Sequence, residues 1–326
     1  MKTVQFREAL REAMSEEMRR DHSVFLMGEE VAEYNGAYKV SQGMLDEFGA
    51  ERVIDTPIAE LGFAGIAVGA SMNGLRPIVE FMTWNFAILA ADQIINSAAK
   101  MLQMSGGQYS CPIVFRGGNG QAGQLAATHS QSFEAFYAHV PGLKVITPSN
   151  PYDAKGLLKS AIRDNDPVVF LESEKMYGDK GEIPEGEYLI PIGVADTKRK
   201  GHDVTVVTFG KIIKVAYDAA EVLEKEGISI EIIDLRTVRP IDYKAVVESV
   251  KRTNRCVVLE ESWPLASISS EIAYHLQRYA FDYLDAPVLR VTQTDTPFAF
   301  SPTLIDAALP NVEKLVDAVK TTLYRK

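Results

Sequence analysis

Cysteine is scarce in this sequence. The 326 residues include two, Cys111 and Cys256, and each opens an apolar run. Two separate thiols in a chain of this length exclude a disulfide framework and predict a reducing compartment. Zinc-type metal sites are not expected either, because the sequence has no cluster of cysteines and histidines at ligand spacing.

Positive charge is also in short supply. Lysine and arginine together number 34 against 44 acidic residues, which gives a net charge of −10 and a pI near 5.2. No block of basic residues interrupts this balance. Nucleic acids and anionic membrane surfaces are therefore not expected as partners, since both are recognised through clustered lysine and arginine.

The sequence lacks a long apolar run as well. The longest nearly uncharged stretch, Phe81–Ala99, contains Asp92, Gln93 and two asparagines, so it predicts a strand and a buried helix rather than a membrane span. The N-terminal residues of the sequence predict a mixed-charge amphipathic helix, not an apolar signal segment or an Arg/Ser-rich leader. We therefore expect a cytoplasmic location, with a mature organellar form as the alternative.

A nucleotide-binding signature is missing too. The glycine-rich loop Gly117–Gly123 has no Lys-Ser/Thr pair of a P-loop, and its spacing differs from the dinucleotide fingerprint. A phosphate cradle is therefore not predicted in this loop.

Strand-like and helix-like segments alternate along most of the chain, and helices are predicted over residues 4–18, 85–103 and 130–138. Repeated alternation of this kind predicts an α/β fold, in which parallel sheets are covered on both faces by helices. The alternation breaks between Glu172 and Gly201, a stretch rich in Gly, Pro, Glu and Lys that predicts a linker with one hairpin. We predict two doubly wound domains, residues 1–185 and the smaller 203–326, joined by a linker at 186–202.

The segment Val53–Gly65 organises the rest of the chain. It predicts a buried strand and then a helix, with Thr56 as N-cap and Pro57 at the first helical position. Glu60 stands one place too late for a capping box. As a lone carboxylate heading an apolar helix it is either functional or, in the alternative, an acid that complements the helix dipole for about 0.3–1 kcal/mol. Three glycines in this helix predict that another backbone packs closely against it.

Three further residues are candidates for chemistry. Asp92 is the only charge between Phe81 and Ala99, and Glu29 follows a buried strand, where α/β sheets place functional loops. His129 follows the glycine-rich loop and suits proton transfer. The alternatives are a scaffold acid held by Gln93 or Asn96 for Asp92, a solvated acid for Glu29 and an ordinary loop histidine for His129.

Several motifs carry a family resemblance that spans nearly the whole chain. They are Gly28-Glu29-Glu30-Val31, Gly36-Ala37-Tyr38-Lys39-Val40, Asp55-Thr56-Pro57-Ile58-Ala59-Glu60, Met104-Ser105-Gly106-Gly107, His129-Ser130-Gln131 and Asp234-Leu235-Arg236-Thr237-Val238-Arg239-Pro240-Ile241-Asp242. Together they resemble the β subunits of the pyruvate dehydrogenase family, the decarboxylating component of 2-oxo acid dehydrogenase complexes. The last motif resembles the transketolase-type C-terminal domain. The fold implied is a pyrimidine-binding parallel sheet followed by a transketolase C-terminal-like domain.

The resemblance implies thiamine diphosphate, shared between two subunits. In this family the β chain holds the aminopyrimidine end, and the α chain supplies the magnesium and diphosphate ligands through a Gly-Asp-Gly motif. That tripeptide is absent here, and Gly178-Asp179-Lys180 is the nearest match. The implied assembly is an α₂β₂ heterotetramer that contacts a dihydrolipoyl acetyltransferase core and decarboxylates pyruvate oxidatively, passing the acetyl unit to a lipoyl group.

The resemblance also implies roles for individual residues. Glu60 would hydrogen-bond a pyrimidine ring nitrogen, and His129 would face the substrate. Ile58, Met82 and Phe86 match positions that wall the pyrimidine, while Glu29 and Asp92 match acids of a path between twin active sites. Relatives bind potassium through backbone carbonyls, which would fall at Ile113, Ala161, Ile162, Asp164 and Asp166.

Three alternatives remain open from the sequence. The same fold serves branched-chain 2-oxo acid and acetoin dehydrogenases, although Phe81–Phe86, Met104–Gly107 and Arg116–Gly120 look more like the pyruvate enzymes. A non-catalytic docking subunit is an alternative of another class. A self-sufficient transketolase-like enzyme is disfavoured by the length and by the missing diphosphate motif.

Overall fold

A computed structural model describes residues 1–325, and in that part of the chain no helix is long and apolar enough to cross a membrane. The strands are, in chain order, β1 (Lys2–Gln5), β2 (Val24–Gly28), β3 (Val53–Asp55), β4 (Arg76–Thr83), β5 (Val114–Gly118), β6 (Lys144–Ile146), β7 (Val168–Glu172), β8 (Lys180–Ile183), β9 (Asp196–Arg199), β10 (Val204–Thr208), β11 (Ile230–Asp234), β12 (Thr237–Arg239), β13 (Cys256–Leu259) and β14 (Leu289–Val291).

The helices lie between these strands. They are α1 (Phe6–Arg20), α2 (Met44–Phe48), α3 (Glu60–Met72), α4 (Trp84–Ala87), α5 (Met101–Met104), α6 (Glu134–Ala138), α7 (Pro151–Arg163), α8 (Ile213–Lys225), α9 (Tyr243–Thr253), α10 (Ile268–Tyr279), α11 (Pro302–Ala308) and α12 (Val312–Thr322). Short 3₁₀ turns occupy Ile88–Ala90, Ala127–His129, Glu174–Met176, Gly210–Ile212 and Phe281–Tyr283, and a π-helical stretch occupies Gln93–Ala98.

The larger sheet has the strand order β12-β6-β7-β5-β4-β2-β3. All its pairings are parallel except β12, which joins β6 in the antiparallel sense. β3, β2 and β4 are neighbours whose carboxyl ends align, because Gly28 pairs with Asp55 on one side and with Glu80 on the other. The residues that follow these three strands therefore meet at one edge of the sheet.

The smaller sheet has the order β14-β13-β10-β11-β9, with β9 antiparallel to β11 and the other pairs parallel. A separate antiparallel pair joins β1 to β8. One apolar cluster runs through both parts of the chain: it includes Phe81 and Phe115 of the larger sheet and Val207 and Val258 of the smaller one. The two sheets are therefore packed around shared apolar contacts.

The α/β class with two sheets is confirmed, and four local predictions are wrong. The expected hairpin between Glu172 and Gly201 does not form, because β8 pairs with β1 while β9 joins the smaller sheet. The expected single helix over 85–103 is divided into α4, a 3₁₀ turn, the π-helical stretch and α5. The helix predicted from Ser130 is limited to α6, and Val4, predicted as helical, lies in β1.

Candidate active site

Glu60 is the first residue of α3 and is buried, with 4% of its surface exposed. The predicted cap is wrong, since Ala59 occupies the N-cap position and Thr56 makes no capping hydrogen bond. Instead the Thr56 N–H donates to the Gly28 carbonyl over 2.9 Å, which continues the pairing of β2 with β3. This link brings the β3–α3 connection beside the residue that follows Gly28.

That residue is Glu29, which is buried to the same extent as Glu60. Burial, the charge of Glu60 and a hydrogen bond to Glu60 together raise the pKa of the Glu29 carboxyl to about 7. At neutral pH the Glu29 carboxyl is therefore partly protonated. Among the described residues, Glu29 Oε1 and Thr56 Oγ1 are buried and have no hydrogen-bond partner.

The loop after Glu29 is fixed by the end of β3. The Asp55 carboxylate accepts the N–H groups of Ala32, over 2.7 Å, and Glu33, over 3.0 Å. Gly28 must be glycine, because a Cβ on it would approach the Glu80 carbonyl oxygen to 2.4 Å. The packing of Gly28 against Glu80 and the hydrogen bonds to Asp55 therefore fix the backbone on both sides of Glu29.

Three residues predicted to wall the site follow the same edge of the sheet. Ile58 is 84% exposed, whereas Met82 near the end of β4 and Phe86 in α4 are half-buried. Phe63, one turn beyond Glu60 in α3, lies 5.6 Å from Phe81 between ring centroids, which packs α3 against β4. The Ile58 side chain is therefore exposed to solvent, whereas Phe63 and Phe81 are buried against each other.

His129 contacts this group through Phe86. Its ring contacts the Phe86 ring edge-on with centroids 5.2 Å apart, and its Nδ1 lies 3.0 Å from Thr128 Oγ1. The sequence analysis missed Asn85, whose Oδ1 accepts from the Gln131 backbone N–H (3.2 Å) and side-chain amide (3.1 Å). Asn85 was recognisable as a polar residue inside an uncharged run, and it ties the His129 segment to α4.

Asp92 is exposed on this chain. Its carboxylate accepts from Asn96 Nδ2 over 2.7 Å and from Gln93 Nε2 over 3.4 Å, which are the contacts that the scaffold alternative expected. The hydrogen bonds of the described residues do not join Asp92 to Glu29 or Glu60. Its place in an acid path stays a prediction.

The five residues predicted to bind potassium lie where α7 ends and where β5 and β7 begin. The carbonyls of Ile113 and Ala161 accept backbone N–H groups, and the Ile162 carbonyl accepts from Arg76 Nε over 2.9 Å. Lys144 Nζ contacts the carboxylates of Asp164, over 2.6 Å, and Asp166, over 3.0 Å. Arg76 and Lys144 therefore already bind oxygen atoms of this group. Potassium binding remains a prediction.

The tripeptide nearest to a diphosphate motif has another partner. Asp179 forms an ion pair with Lys214 over 2.5 Å, which links the turn before β8 to the start of α8. Within residues 1–325 no cluster of three or more histidine, cysteine, aspartate or glutamate side chains is arranged to hold a metal ion.

Comparisons with known proteins cover the whole chain. A family model described as "Transketolase, pyrimidine binding domain" matches residues 2–180, and "Transketolase, C-terminal domain" matches residues 193–315. A solved structure titled "Split gene transketolase, inactive beta4 tetramer" superimposes with a TM-score of 0.82 at 23% identity, covering 99% of both chains. At that identity the likeness concerns the fold alone.

Curated relatives are much closer in sequence. The "Pyruvate dehydrogenase E1 component subunit beta" of Rhizobium meliloti is 58% identical over 100% of this chain and 71% of the relative. The protein of the same name from Rickettsia felis is 56% identical over 98% of each chain. "Pyruvate dehydrogenase E1 component subunit beta-2, mitochondrial" of Oryza sativa is 53% identical over 99% of this chain and 87% of the relative.

Proposed function

This chain belongs to the family of pyruvate dehydrogenase E1 component β subunits, and we propose that it supplies the pyrimidine-binding half of an active site that an α chain completes. It is a component of an oxidoreductase that decarboxylates pyruvate with thiamine diphosphate. The finer part of the proposal is that the cofactor is shared between subunits, with magnesium held by the α chain, in an α₂β₂ heterotetramer that serves a dihydrolipoyl acetyltransferase core.

The observation that carries the proposal is the buried Glu29–Glu60 pair at the carboxyl edge of β3, β2 and β4. In this proposal Glu60, at the start of α3, hydrogen-bonds a ring nitrogen of the aminopyrimidine. Glu29 holds a proton beside it, with a pKa raised to about 7 by burial and by Glu60. A carboxyl in this environment exchanges a proton near neutral pH, which is the condition for general acid–base work.

The residues present fit the pyrimidine end of thiamine diphosphate. Glu29 Oε1 and Thr56 Oγ1 are buried polar atoms without a partner among the described residues, and Ile58 offers an exposed apolar wall. When bound, the cofactor supplies the acidic thiazolium carbon that adds to a 2-oxo acid. In this proposal Met82 and Phe86 exclude water from the ring, and His129 orients the substrate.

The proposal also covers metal binding, the acid path and location. Potassium at the carbonyls of residues 113, 161, 162, 164 and 166, and Asp92 in a proton path, are carried by the family resemblance. A cytoplasmic location fits the two free, buried cysteines. The alternative is an organelle, since some eukaryotic relatives carry "mitochondrial" in their names.

The test is Glu60→Gln in the protein assembled with its α chain. An amide cannot take up the proton that Glu60 exchanges, so we expect pyruvate decarboxylation to fall by about 10²–10⁴-fold while the fold and assembly persist. Glu51→Gln, an exposed acid just before β3, is the matched control and should retain full turnover.

Near-normal turnover of Glu60→Gln at saturating cofactor would contradict the assignment and favour a docking subunit. Parallel assays with branched-chain 2-oxo acids and acetoin on the unsubstituted assembly decide the substrate. Pyruvate is expected to be turned over fastest.

A further inference from the structure

The segment that carries His129 is a long loop, residues 119–131, between β5 and α6. Asn119 closes its base: Oδ1 accepts the Phe133 N–H and Nδ2 donates to Glu134 Oε1, both over 2.9 Å. The Gly120 N–H donates to the Gln131 carbonyl over 3.0 Å, which draws the two ends of the loop together. The base of the loop is therefore fixed by residues of the larger sheet's own part of the chain.

The next residue is held from the other part of the chain. Glu261 Oε1 accepts the backbone N–H of Gln121 over 2.7 Å and contacts Lys211 Nζ over 2.8 Å. Lys211 in turn donates to the Gln121 carbonyl oxygen. The two members of one ion pair therefore bind the backbone N–H and the backbone carbonyl oxygen of the same residue, Gln121.

This ion pair is buried and well placed. The Glu261 side chain is 6% exposed and the Lys211 side chain 13%. Lys211 follows β10 and Glu261 follows β13, and these two strands are neighbours in the smaller sheet. The carboxyl edge of the smaller sheet is therefore the surface that meets the 119–131 loop.

Gly120 records how close this approach is. Its φ is +76°, in the left-handed region, and a Cβ on it would come within 2.8 Å of Glu261 Oε1. A side chain at this position would be strained and would push against the carboxylate. The close approach of Glu261 therefore explains why residue 120 is a glycine, without a bound phosphate.

The electrostatic surroundings connect the pair to His129. Glu174 lies over Gly118, where a Cβ would meet Glu174 Cγ at 2.7 Å. Burial raises the pKa of Glu174, while a hydrogen bond from Tyr38 and the charges of Lys211 and His129 lower it. Lys211 and His129 therefore both lie within electrostatic reach of Glu174.

We propose that Lys211 and Glu261 are positioning residues: their ion pair holds the 119–131 loop from the smaller sheet so that His129 stays against Phe86 at the active site. Resting on the proposed function for His129, this assigns the C-terminal part of the chain a role in the reaction without contact with the substrate. Loss of either side chain would release the Gln121 peptide and let the loop move as a unit.

The first measurement is hydrogen–deuterium exchange of the assembled α/β protein. Lys211→Met and Glu261→Ala should raise exchange in peptides covering 119–131 by about tenfold or more, because the loop then opens more often. Lys214→Met is the matched control: it breaks the neighbouring Lys214–Asp179 ion pair, which also joins the two parts of the chain but does not touch the loop. Exchange in 119–131 equal to that of the control would overturn the proposal.

The second measurement is steady-state turnover of the same variants. A misplaced His129 should lower kcat by about tenfold to a hundredfold while the dissociation constant of thiamine diphosphate, set on the Glu60 side, keeps the control value. Glu261→Gln keeps an oxygen to accept the Gln121 N–H and should regain part of the turnover lost in Glu261→Ala.

Faster loop exchange with turnover equal to the control would reduce the pair to a structural anchor and contradict the positioning role. His129→Ala separates this failure from that of the proposed function. If His129→Ala itself leaves turnover intact, the role of His129 is wrong, whatever the exchange result for Lys211 and Glu261.

Discussion

Two regions of the molecule differ in how far this chain covers their side chains and pairs their polar groups. We call them the α3 face and the sheet junction. The α3 face consists of Ile58, Leu61, Gly62, Gly65, Ile66 and Gly69. Ile66 is 68% exposed, and a Cβ on Gly69 would meet no atom within 4 Å. At the sheet junction, where Lys211 and Glu261 meet Gln121, polar groups are buried and paired across the chain.

This contrast separates what the chain completes alone from what it leaves for a partner. The glycines of α3 were expected to admit a close backbone, yet a Cβ at Gly65 would meet only the Gln93 side chain and a Cβ at Gly62 only the Ala59 Cβ within 4 Å. An apolar helix face with glycines and no covering element is typical of a subunit interface. The Glu29–Glu60 pair lies at the start of this same helix, so the open face and the incomplete site adjoin.

The largest expected effect concerns the most closed part of the larger sheet. Arg116 is fully buried between Glu80 and Glu172, and Tyr177 also donates to Glu172 over 2.8 Å. Arg116→Met leaves two buried carboxylates uncompensated and should lower the free energy of unfolding by about 3–5 kcal/mol.

Chemical denaturation of the assembled protein checks this value. Arg19→Met is the control, because Arg19 and Glu47 form an exposed ion pair that contributes about 1 kcal/mol at most. Equal losses in the two variants would show that the Arg116 cluster does not behave as a closed, desolvated network.

The next effect tests the open face. A Cβ at Gly69 would meet no atom of its own chain within 4 Å, so the fold should tolerate Gly69→Leu. The association constant with the partner subunits should fall by about a hundredfold, or about 2.7 kcal/mol. Sedimentation velocity measures assembly, and Val222→Leu on the exposed side of α8 is the control. Obligate interfaces usually bury upwards of about 2,000 Å². Unchanged assembly in Gly69→Leu, or a stable monomer beside the α chain, would remove the contrast between the two regions.

The sequence predicts the strands and the candidate site residues, but it does not predict which distant side chains pair with one another. Alternating apolar segments predicted the parallel strands. Glu60 became a candidate as a lone carboxylate heading an apolar helix, and His129 became one because it follows the glycine-rich loop. Arg116 and its acids lie 36 and 56 residues apart, and Gln121 and Glu261 lie 140 residues apart. Such partners are chosen by tertiary packing, so no local pattern marks them.

The misplaced elements have physical reasons as well. β9 and β12 are short edge strands without an apolar run of their own, and their pairing partners decide their structure. The helix predicted over 85–103 is replaced by α4, a 3₁₀ turn, the π-helical stretch and α5. In the π-helical region the Asp92 carboxylate accepts hydrogen bonds from the Gln93 and Asn96 side chains.

A smaller effect concerns the pH dependence of stability. The pKa of Glu29 is raised to about 7 in the folded protein from an ordinary value of 4.5, so the folded state binds the proton more tightly than the unfolded state. The free energy of unfolding should therefore fall by about 2 kcal/mol as pH rises from about 4.5 to 7, and level off above that.

Glu29→Gln removes this dependence, because an amide does not titrate. Denaturant unfolding at pH 5 and pH 8 should show a smaller difference for Glu29→Gln than for the exposed control Glu33→Gln. The same pH difference in both variants would contradict the raised pKa of Glu29.

The smallest structural effect is expected at Asp92. Asp92→Asn removes an exposed carboxylate bonded to Asn96, so the free energy of unfolding should change by no more than about 0.5 kcal/mol. If Asp92 belongs to an acid path, stopped-flow measurements of cofactor activation should show that one site of the assembled mutant no longer depends on the other. Activation of both sites as in the parent protein would assign Asp92 to the scaffold.

The central claim is that this chain holds half of an active site. Calorimetric titration of thiamine diphosphate with magnesium, on this chain alone and on its assembly with the α chain, tests it most directly. The account predicts a dissociation constant at least about a hundredfold larger for the chain alone, a difference of about 2.7 kcal/mol or more. Tight, magnesium-dependent binding to the isolated chain would contradict it.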